Sequence, residues 1–465
     1  MEMEEAKKVV DELIARSKAA QNKIKDYSQE QVDRLVKICG RVIYDNAEML
    51  AKEAVEEGGL GSVEDKIGKM RNSTSVAYQF LKDKKTVGII GYEENGSVAN
   101  VAKPIGVIGC LIPSTNPTST VGGNGMYALK CRDSIVFSVH PRTKKVSVHA
   151  VNLVREALRA AGEPEDLFLV IEQPSMETTN LLMQDADVVV ATGGPAMVKA
   201  AYSSGRPSYG VGQGNVQVII DEDCMEEYEA IAAATVNSRC RDNGLPCTGE
   251  QFITFPEKDT EKVLSAFEKA GAYVIRDEET AEKVRNGLFT LTPKGAWAFN
   301  INNVGQNIHK IAENIGLEIP ENTKSLLVAT KGVGRADLLC KEKLCPVEAY
   351  YPYKDFDEGM SFITENLNME GAGHSAVIYS HNDEHIERAG IELPVSRLIV
   401  NACGSTAGGN TLENGLAPTM SLGCGSWGNN SISENLSYKH LMNVTKIAYK
   451  IEDIKIPSNE EIWAD

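Results

Sequence analysis

The chain has 465 residues, with 48 Lys+Arg against 65 Asp+Glu, a formal charge of −17, and 42 % apolar and 24 % charged residues. Its length exceeds the roughly 250–300 residues that one hydrophobic core serves, so two domains are expected. No run approaches the ~18 apolar residues of a bilayer span, and polyanions are held by clustered Lys and Arg that so acidic a chain lacks. Membrane and nucleic acid are therefore set aside as partners. The acidic start, Met1-Glu-Met-Glu-Glu-Ala, has no apolar signal core, which makes the cytoplasm the expected setting. The ten cysteines contain no Cys-x-x-Cys, and Cys340 and Cys345 have no matching pair at zinc spacing; no metal site is expected, and most are read as buried or free thiols.

In chain order, the first 80 residues read as helices, because Val9, Val10, Leu13 and Ile14, then Val32, Leu35, Val36 and Val42, recur at helical spacing. Residues 85–103 read as a hairpin turning at Asn95-Gly96. Strands and helices then alternate: strand Ile105–Ile112, helix Thr118–Lys130, strand Ile135–Val139, helix Lys144–Ala161, strand Leu167–Ile171, helix Met176–Met183, strand Val188–Ala191 and helix Ala196–Ser203. Nearly continuous Val/Ile strands in such units predict a parallel sheet covered on both faces, with ligands beyond the strands' carboxyl ends. A second α/β series starts near Gln217, and the alternating tail Asn443–Ile451 reads as an added edge strand. Hairpin and tail together are the material of subunit exchange, so a homo-oligomer is expected.

Three loops can carry chemistry. In Pro113-Ser-Thr-Asn116-Pro-Thr118-Ser119-Thr, polar side chains crowd a strand's end before a helix; Asn116 can donate to a developing oxyanion, and the alternative is a capping turn made by Thr118 or Ser119. In Ala191-Thr-Gly193-Gly194-Pro, the glycines admit a phosphate-bearing ligand, although Gly-Gly at a strand–helix corner also occurs without one. In Arg241-Asp-Asn-Gly-Leu-Pro-Cys247-Thr-Gly-Glu, a thiol on a rigid loop near helix-start N–H groups can have a depressed pKa and act as a nucleophile; the alternative is a buried cysteine.

Together with Leu422-Gly-Cys-Gly-Ser-Trp427-Gly-Asn-Asn-Ser, these loops resemble the CoA-acylating branch of the aldehyde dehydrogenase superfamily over essentially the whole chain. The resemblance implies an α/β fold with a Rossmann-type cofactor domain (1–215, carrying the hairpin as an oligomerisation arm), an α/β catalytic domain (216–425), and a C-terminal return with an oligomerisation strand (426–465) in a homodimer or homotetramer. It implies Cys247 as nucleophile, an oxyanion held by Asn116 and the Cys247 N–H, and His374 assisting proton transfer. NAD(P)+ would lie against Pro113, Ser114, Thr115, His140, Pro141, Arg142, Thr192, Gly193, Gly194, Val198, Gly210, Val211, Gly212 and Glu342, with coenzyme A as co-substrate. Hydrolytic members have a general-base glutamate where this chain has Gly210, so a thioester would survive for CoA to collect. Arg142 or Lys144 can pair with a 2′-phosphate, which leaves NADP open beside NAD.

Within the branch, Tyr27-Ser-Gln-Glu-Gln, Ala201-Tyr-Ser-Ser-Gly-Arg-Pro and Glu460-Glu-Ile-Trp resemble CoA-dependent succinate-semialdehyde dehydrogenases, whereas Thr118, Ser119, Arg241 and Leu245 depart from them. Arg241 can pair with a carboxylate or sulfonate tail, or with Asp242 or Glu250 at the surface. Succinate semialdehyde is the expected substrate, with sulfoacetaldehyde or acetaldehyde, an acyl-phosphate reductase, and a non-catalytic scaffold as alternatives.

Overall fold

Ser28 starts the second of four opening helices with a reciprocal cap: its Oγ accepts from Gln31 N at 3.3 Å, and its own N–H donates to Gln31 Oε1 at 2.9 Å. The helices are α1 (Met3–Ile24), α2 (Gln29–Asp45), α3 (Ala47–Gly58) and α4 (Val63–Leu81). This computed structural model describes residues 2–93, 96–452 and 454–464. Asn95, half of the expected turn, lies outside them.

The hairpin follows as β1 (Gly88–Glu93) and β2 (Val98–Pro104), paired antiparallel with Glu93 opposite Val98. The alternating series then runs β3 (Val107–Leu111), α5 (Ser119–Lys130), β4 (Ser134–Ser138), α6 (Lys144–Ala160), β5 (Phe168–Ile171), α7 (Met176–Asp185), β6 (Val188–Thr192), α8 (Pro195–Tyr202) and β7 (Ser208–Val211). Ends differ from the pattern-based expectation by a residue or two, as fraying permits, and β7 is a strand that the pattern did not predict. The five strands form a parallel sheet in the order β5-β4-β3-β6-β7. The chain thus builds outward from β3, then returns to its other side, and the crevice at that reversal opens at the carboxyl ends of β3 and β6. Both faces are covered. Leu35, Cys39 and Ile43 of α2 pack with α5 and α6 on one face, and Val10 and Ile14 of α1 pack with Leu182 of α7 on the other.

From β8 (Val216–Ile220) a second sheet grows through α9 (Tyr228–Cys240), β9 (Glu250–Thr254), β10 (Ala272–Ile275), the small hairpin β11 (Phe289–Leu291) and β12 (Trp297–Phe299), then β13 (Ser325–Ala329), β14 (Val347–Tyr350), β15 (Gly373–Tyr379) and β16 (Val395–Val400). Seven of these strands lie parallel in the order β10-β13-β14-β9-β8-β15-β16. The tail strand β17 (Met442–Ala448) pairs antiparallel with β2, so hairpin and tail form one three-stranded sheet, β1-β2-β17. On the way to β17 the chain returns to the first sheet: Leu436 and Leu441 are buried in its core, Tyr127 Oη of α5 donates to Pro418 O, and Cys131 Sγ donates to Tyr438 O at 3.1 Å. Among the described residues no helix is long and apolar enough to cross a membrane.

Candidate active site

A 620 Å³ cleft opens at the crevice of the first sheet and ends at Cys247. Its walls come from the loop after β3 (Pro113, Ser114, Thr115, Asn116), the loop after β4 (His140, Pro141), the β6–α8 corner (Thr192, Gly193, Gly194), the segment after β7 (Val211, Gly212, Gln213) and, across from these, Leu245, Cys247 and Glu342. A smaller pocket reaches Cys247 from the other side, lined by Lys69, Asn72, Asn116, Arg241, Thr248, Ser405, Asn410 and Thr419. Cys247 and Asn116 line both spaces.

The cysteine loop is set by backbone that ordinary residues avoid. Asp242 (φ 47°) and Asn243 (φ 53°) are left-handed, and Gly244 (φ 75°) continues them, a strained run that persists only where surroundings fix it. Those surroundings are two buried cation centres. The Arg239 guanidinium donates to the carbonyls of Gly244 (3.3 Å) and Gly249 (3.4 Å), which bracket Cys247, and to those of Cys345 (2.8 Å) and Lys343 in the loop carrying Glu342. The Asp242 carboxylate, fully buried, accepts from Lys69 Nζ at 2.6 Å, Lys66 Nζ at 3.1 Å and Ser62 N at 3.1 Å. Gly214 brings the second wall close: a Cβ there would stand 2.2 Å from Cys247 O.

Cys247 is half-buried, and its sulfur stands 3.2 Å from His374 Nε2 on β15. Burial first, then Glu342 and Cys424, pushes the thiol up to about 12. The shift runs opposite to a depressed thiol because burial and the nearby Glu342 disfavour the thiolate. Burial and Arg397 push His374 down to about 3, making it a neutral imidazole. Its carbonyl accepts from Arg397 at 2.7 Å, while Nδ1 has no hydrogen-bond partner among the described residues. Glu342 accepts from Gly214 N at 3.1 Å, and burial together with Glu370 pushes its carboxyl up to about 8. It is the one carboxyl group among the residues that line the cleft and the small pocket.

Residues 2–288 match the aldehyde dehydrogenase family. The chain belongs to this family. It is 48 % identical over 454 residues to an acetylating succinate-semialdehyde dehydrogenase of Clostridium kluyveri, covering 98 % of each chain. Its fold is similar to an acetylating aldehyde dehydrogenase of Geobacillus thermoglucosidasius, with TM-score 0.91, 36 % identity and coverage of 98 % and 99 % of the two chains. It is also similar to a Rhodopseudomonas palustris propionaldehyde dehydrogenase with bound CoA and an acylated cysteine, with TM-score 0.84, 28 % identity and coverage of 94 % and 96 %.

In this aldehyde dehydrogenase most residues singled out from sequence converge on the cleft or on Cys247, and six do not. Thr118 and Ser119 are buried and line neither space; Thr118 occupies the cap position of α5, yet its Oγ1 donates to Met70 Sδ at 3.0 Å and makes no cap bond. Arg142 is turned away, its Nε donating to Gly58 O at 2.7 Å, and Lys144 donates to Gln173 Oε1 at 3.0 Å. Val198 lines a separate cavity with Tyr202 and Trp427. Gly210 is bonded through its N–H to Tyr202 Oη at 2.9 Å, and a Cβ there would meet Val198 at 2.7 Å and Tyr202 at 2.8 Å. Leu245 lines the cleft, whereas Arg241 faces the small pocket. The alternative partners of Arg241 are engaged elsewhere, Asp242 by the two lysines and Glu250 by Gly404 N at 2.6 Å. Lys66, Lys69, Asp242 and Arg239 were not singled out from sequence. The available signal was a pair of lysines one turn apart on the buried face of α4.

Proposed function

We propose that the chain is a CoA-acylating aldehyde dehydrogenase, reversibly oxidising a short-chain aldehyde with NAD(P)+ to acyl-CoA through a thioester on Cys247, with succinate semialdehyde as its substrate. The observation that carries this reading is the placement of one cysteine between a nucleotide-sized cleft and a small cationic pocket. Gly194, with nothing within 4 Å of an added Cβ, lets phosphates approach the start of α8. Pro113, Ser114, Thr115, His140, Pro141, Thr192, Gly193, Gly194, Val211, Gly212 and Glu342 would hold NAD(P)+, which supplies the hydride acceptor when bound.

The chain's own residues do the rest. Cys247 Sγ bonds to the aldehyde carbon as its proton passes to His374 Nε2. The carbonyl oxygen gains the negative charge and is met by Asn116 Nδ2 and the Cys247 N–H. Loss of hydride from that carbon leaves the thioester. His374 passes that first proton to solvent before CoA reacts; the CoA sulfur then attacks the thioester carbon as its proton goes to His374, and collapse releases acyl-CoA and the Cys247 sulfur, which takes the proton back from His374. The carboxyl group on the cleft wall is held by Gly214 N–H, and burial with Glu370 pushes it up, which disfavours the ionised form that a carboxylate base for water would need.

Arg241, without an ion pair among the described residues, favours an aldehyde with an anionic tail. The same guanidinium would take a sulfonate, which keeps sulfoacetaldehyde as the second reading. The test is NAD(P)H formation with CoA, with phosphate and with neither, across succinate semialdehyde, sulfoacetaldehyde and acetaldehyde. Strict CoA dependence with succinate semialdehyde preferred is expected. Equal rates without CoA would overturn the acylating reading, and a preference for acetaldehyde would overturn the substrate.

We further assign residues 1–215 to the cofactor side, 216–425 to the catalytic side, and 426–465 to the return strand. The β1-β2-β17 sheet, with β17 exposed along its length, is assigned as the arm of a homodimer or homotetramer. Ten free cysteines suit a reducing, cytoplasmic setting.

A further inference from the structure

Lys66 and Lys69 lie one turn apart on α4 and are both buried, where the helix's periodicity calls for apolar side chains. Buried ammonium groups persist only when paired, and the shared partner is Asp242, five residues before Cys247. The fit is built in from both sides. Gly61 makes room, since a Cβ there would stand 1.8 Å from Asp242 Oδ1, and Ser62 N donates to the same oxygen at 3.1 Å. Lys69 Nζ has a second acceptor, Asn116 Oδ1, at 2.9 Å.

That contact decides which way the amide faces. An ammonium has donors only, so it selects the amide oxygen and would repel the NH2 of the flipped form. Nδ2 makes one long contact, to Thr115 Oγ1 at 3.5 Å, and keeps its second N–H for a ligand in the two spaces at Cys247, a donor strengthened by withdrawal of electron density from the carbonyl. One buried carboxylate therefore registers both halves of the oxyanion site: the Cys247 loop through its own backbone, and the Asn116 side chain through Lys69.

We propose that Lys69 is a positioning residue for the oxyanion hole, held by Asp242 and fixing the Asn116 amide with Nδ2 toward the reacting carbonyl. This rests on the reading of Asn116 as an oxyanion donor. The test is a double-mutant cycle on the single-turnover rate of NAD(P)H formation by the full chain at saturating nucleotide, using N116A, K69M and N116A/K69M. Thermal melting and nucleotide titration establish that each variant is folded. N116A is expected to slow the step about 10²–10³-fold. K69M is expected to slow it about tenfold or more, equally for succinate semialdehyde and for uncharged propionaldehyde, with the nucleotide KM unchanged. Added to N116A, K69M should cost less than about threefold. Full additivity, or a K69M penalty confined to the charged aldehyde, would overturn the proposal; a wild-type rate in N116A would overturn the reading of Asn116 itself. If K69M does not fold, K69R, which retains a cation for Asp242 but not the ammonium geometry at Asn116, goes through the same cycle and is judged by the same coupling.

Discussion

His374 Nε2 and Cys247 Sγ stand 3.2 Å apart as a neutral pair, the thiol pushed up to about 12 by burial and the imidazole down to about 3 by burial and Arg397. A thiolate–imidazolium couple would need both shifts reversed. On the proposed mechanism the nucleophile is therefore made on demand, its proton leaving as the carbon–sulfur bond forms. In the free enzyme the thiolate fraction then tracks pH, because the whole accessible range lies below the thiol's pKa. Alkylation of Cys247 by iodoacetamide should rise about tenfold per pH unit between about pH 7 and 9. A plateau near neutrality would show a preformed thiolate.

On the proposed mechanism His374→Ala removes the proton relay and leaves the nucleotide walls intact. The acylation rate should fall about 10²–10⁴-fold, with nucleotide affinity unchanged in a fluorescence titration. A loss of affinity in step with rate would point to a collapsed site.

Cys247→Ala should abolish NAD(P)H formation while the protein still binds nucleotide, since the cleft walls come from elements that Cys247 does not hold. Retention of more than about 1 % of the rate would sink covalent catalysis, whose loss costs orders of magnitude more.

Arg241→Gln should cut kcat/KM for succinate semialdehyde about 10–100-fold, the scale of a charge-assisted bond of about 1.5–3 kcal/mol. For propionaldehyde the change should stay within about threefold. Equal losses for both aldehydes would mean that Arg241 shapes the loop and does not read the substrate's tail.

Gly210 and Gly212 separate two ideas about hydrolysis. A side chain at Gly210 collides with Val198 and Tyr202, whereas Gly212 lines the cleft with open space at its Cβ. Gly212→Glu should raise the ratio of acid to acyl-CoA, and Gly210→Glu should lower the melting temperature without raising that ratio. Chromatographic analysis of products decides, and an unchanged ratio in folded Gly212→Glu counts against the missing base.

Much of the architecture was legible because strand periodicity and helix periodicity are local. The alternation from Ile105 onward gave four of the five strands of the first sheet and the helices between them to within a residue or two, missing β7, and two of the three turn-rich loops fell where parallel strands end, the third lying ahead of β9. What was not legible depends on contacts between distant segments. Arg142 stands beside His140 in sequence, yet its guanidinium is tied to Gly58 O. The resemblance puts Gly210 where hydrolytic members have a glutamate, yet a side chain there would run into Val198 and Tyr202 of α8. The thiol's titration reverses expectation because burial and Glu342, brought in from 95 residues downstream, outweigh any local feature of its loop. Lys69 and Asp242 read as ordinary surface charges until the fold brings them together across 173 positions.

The return of the chain to the first sheet orders events during synthesis. Leu436 and Leu441 complete the core around Tyr127 and Phe168, and β17 turns a two-stranded hairpin into a sheet. A ribosome that has finished residues 1–215 has therefore released a half whose core lacks those leucines and whose hairpin, alone, is marginal in water. Neither becomes whole until some 230 further residues have emerged. A protein cut short anywhere before Leu436 exposes an unfinished core that quality control can recognise.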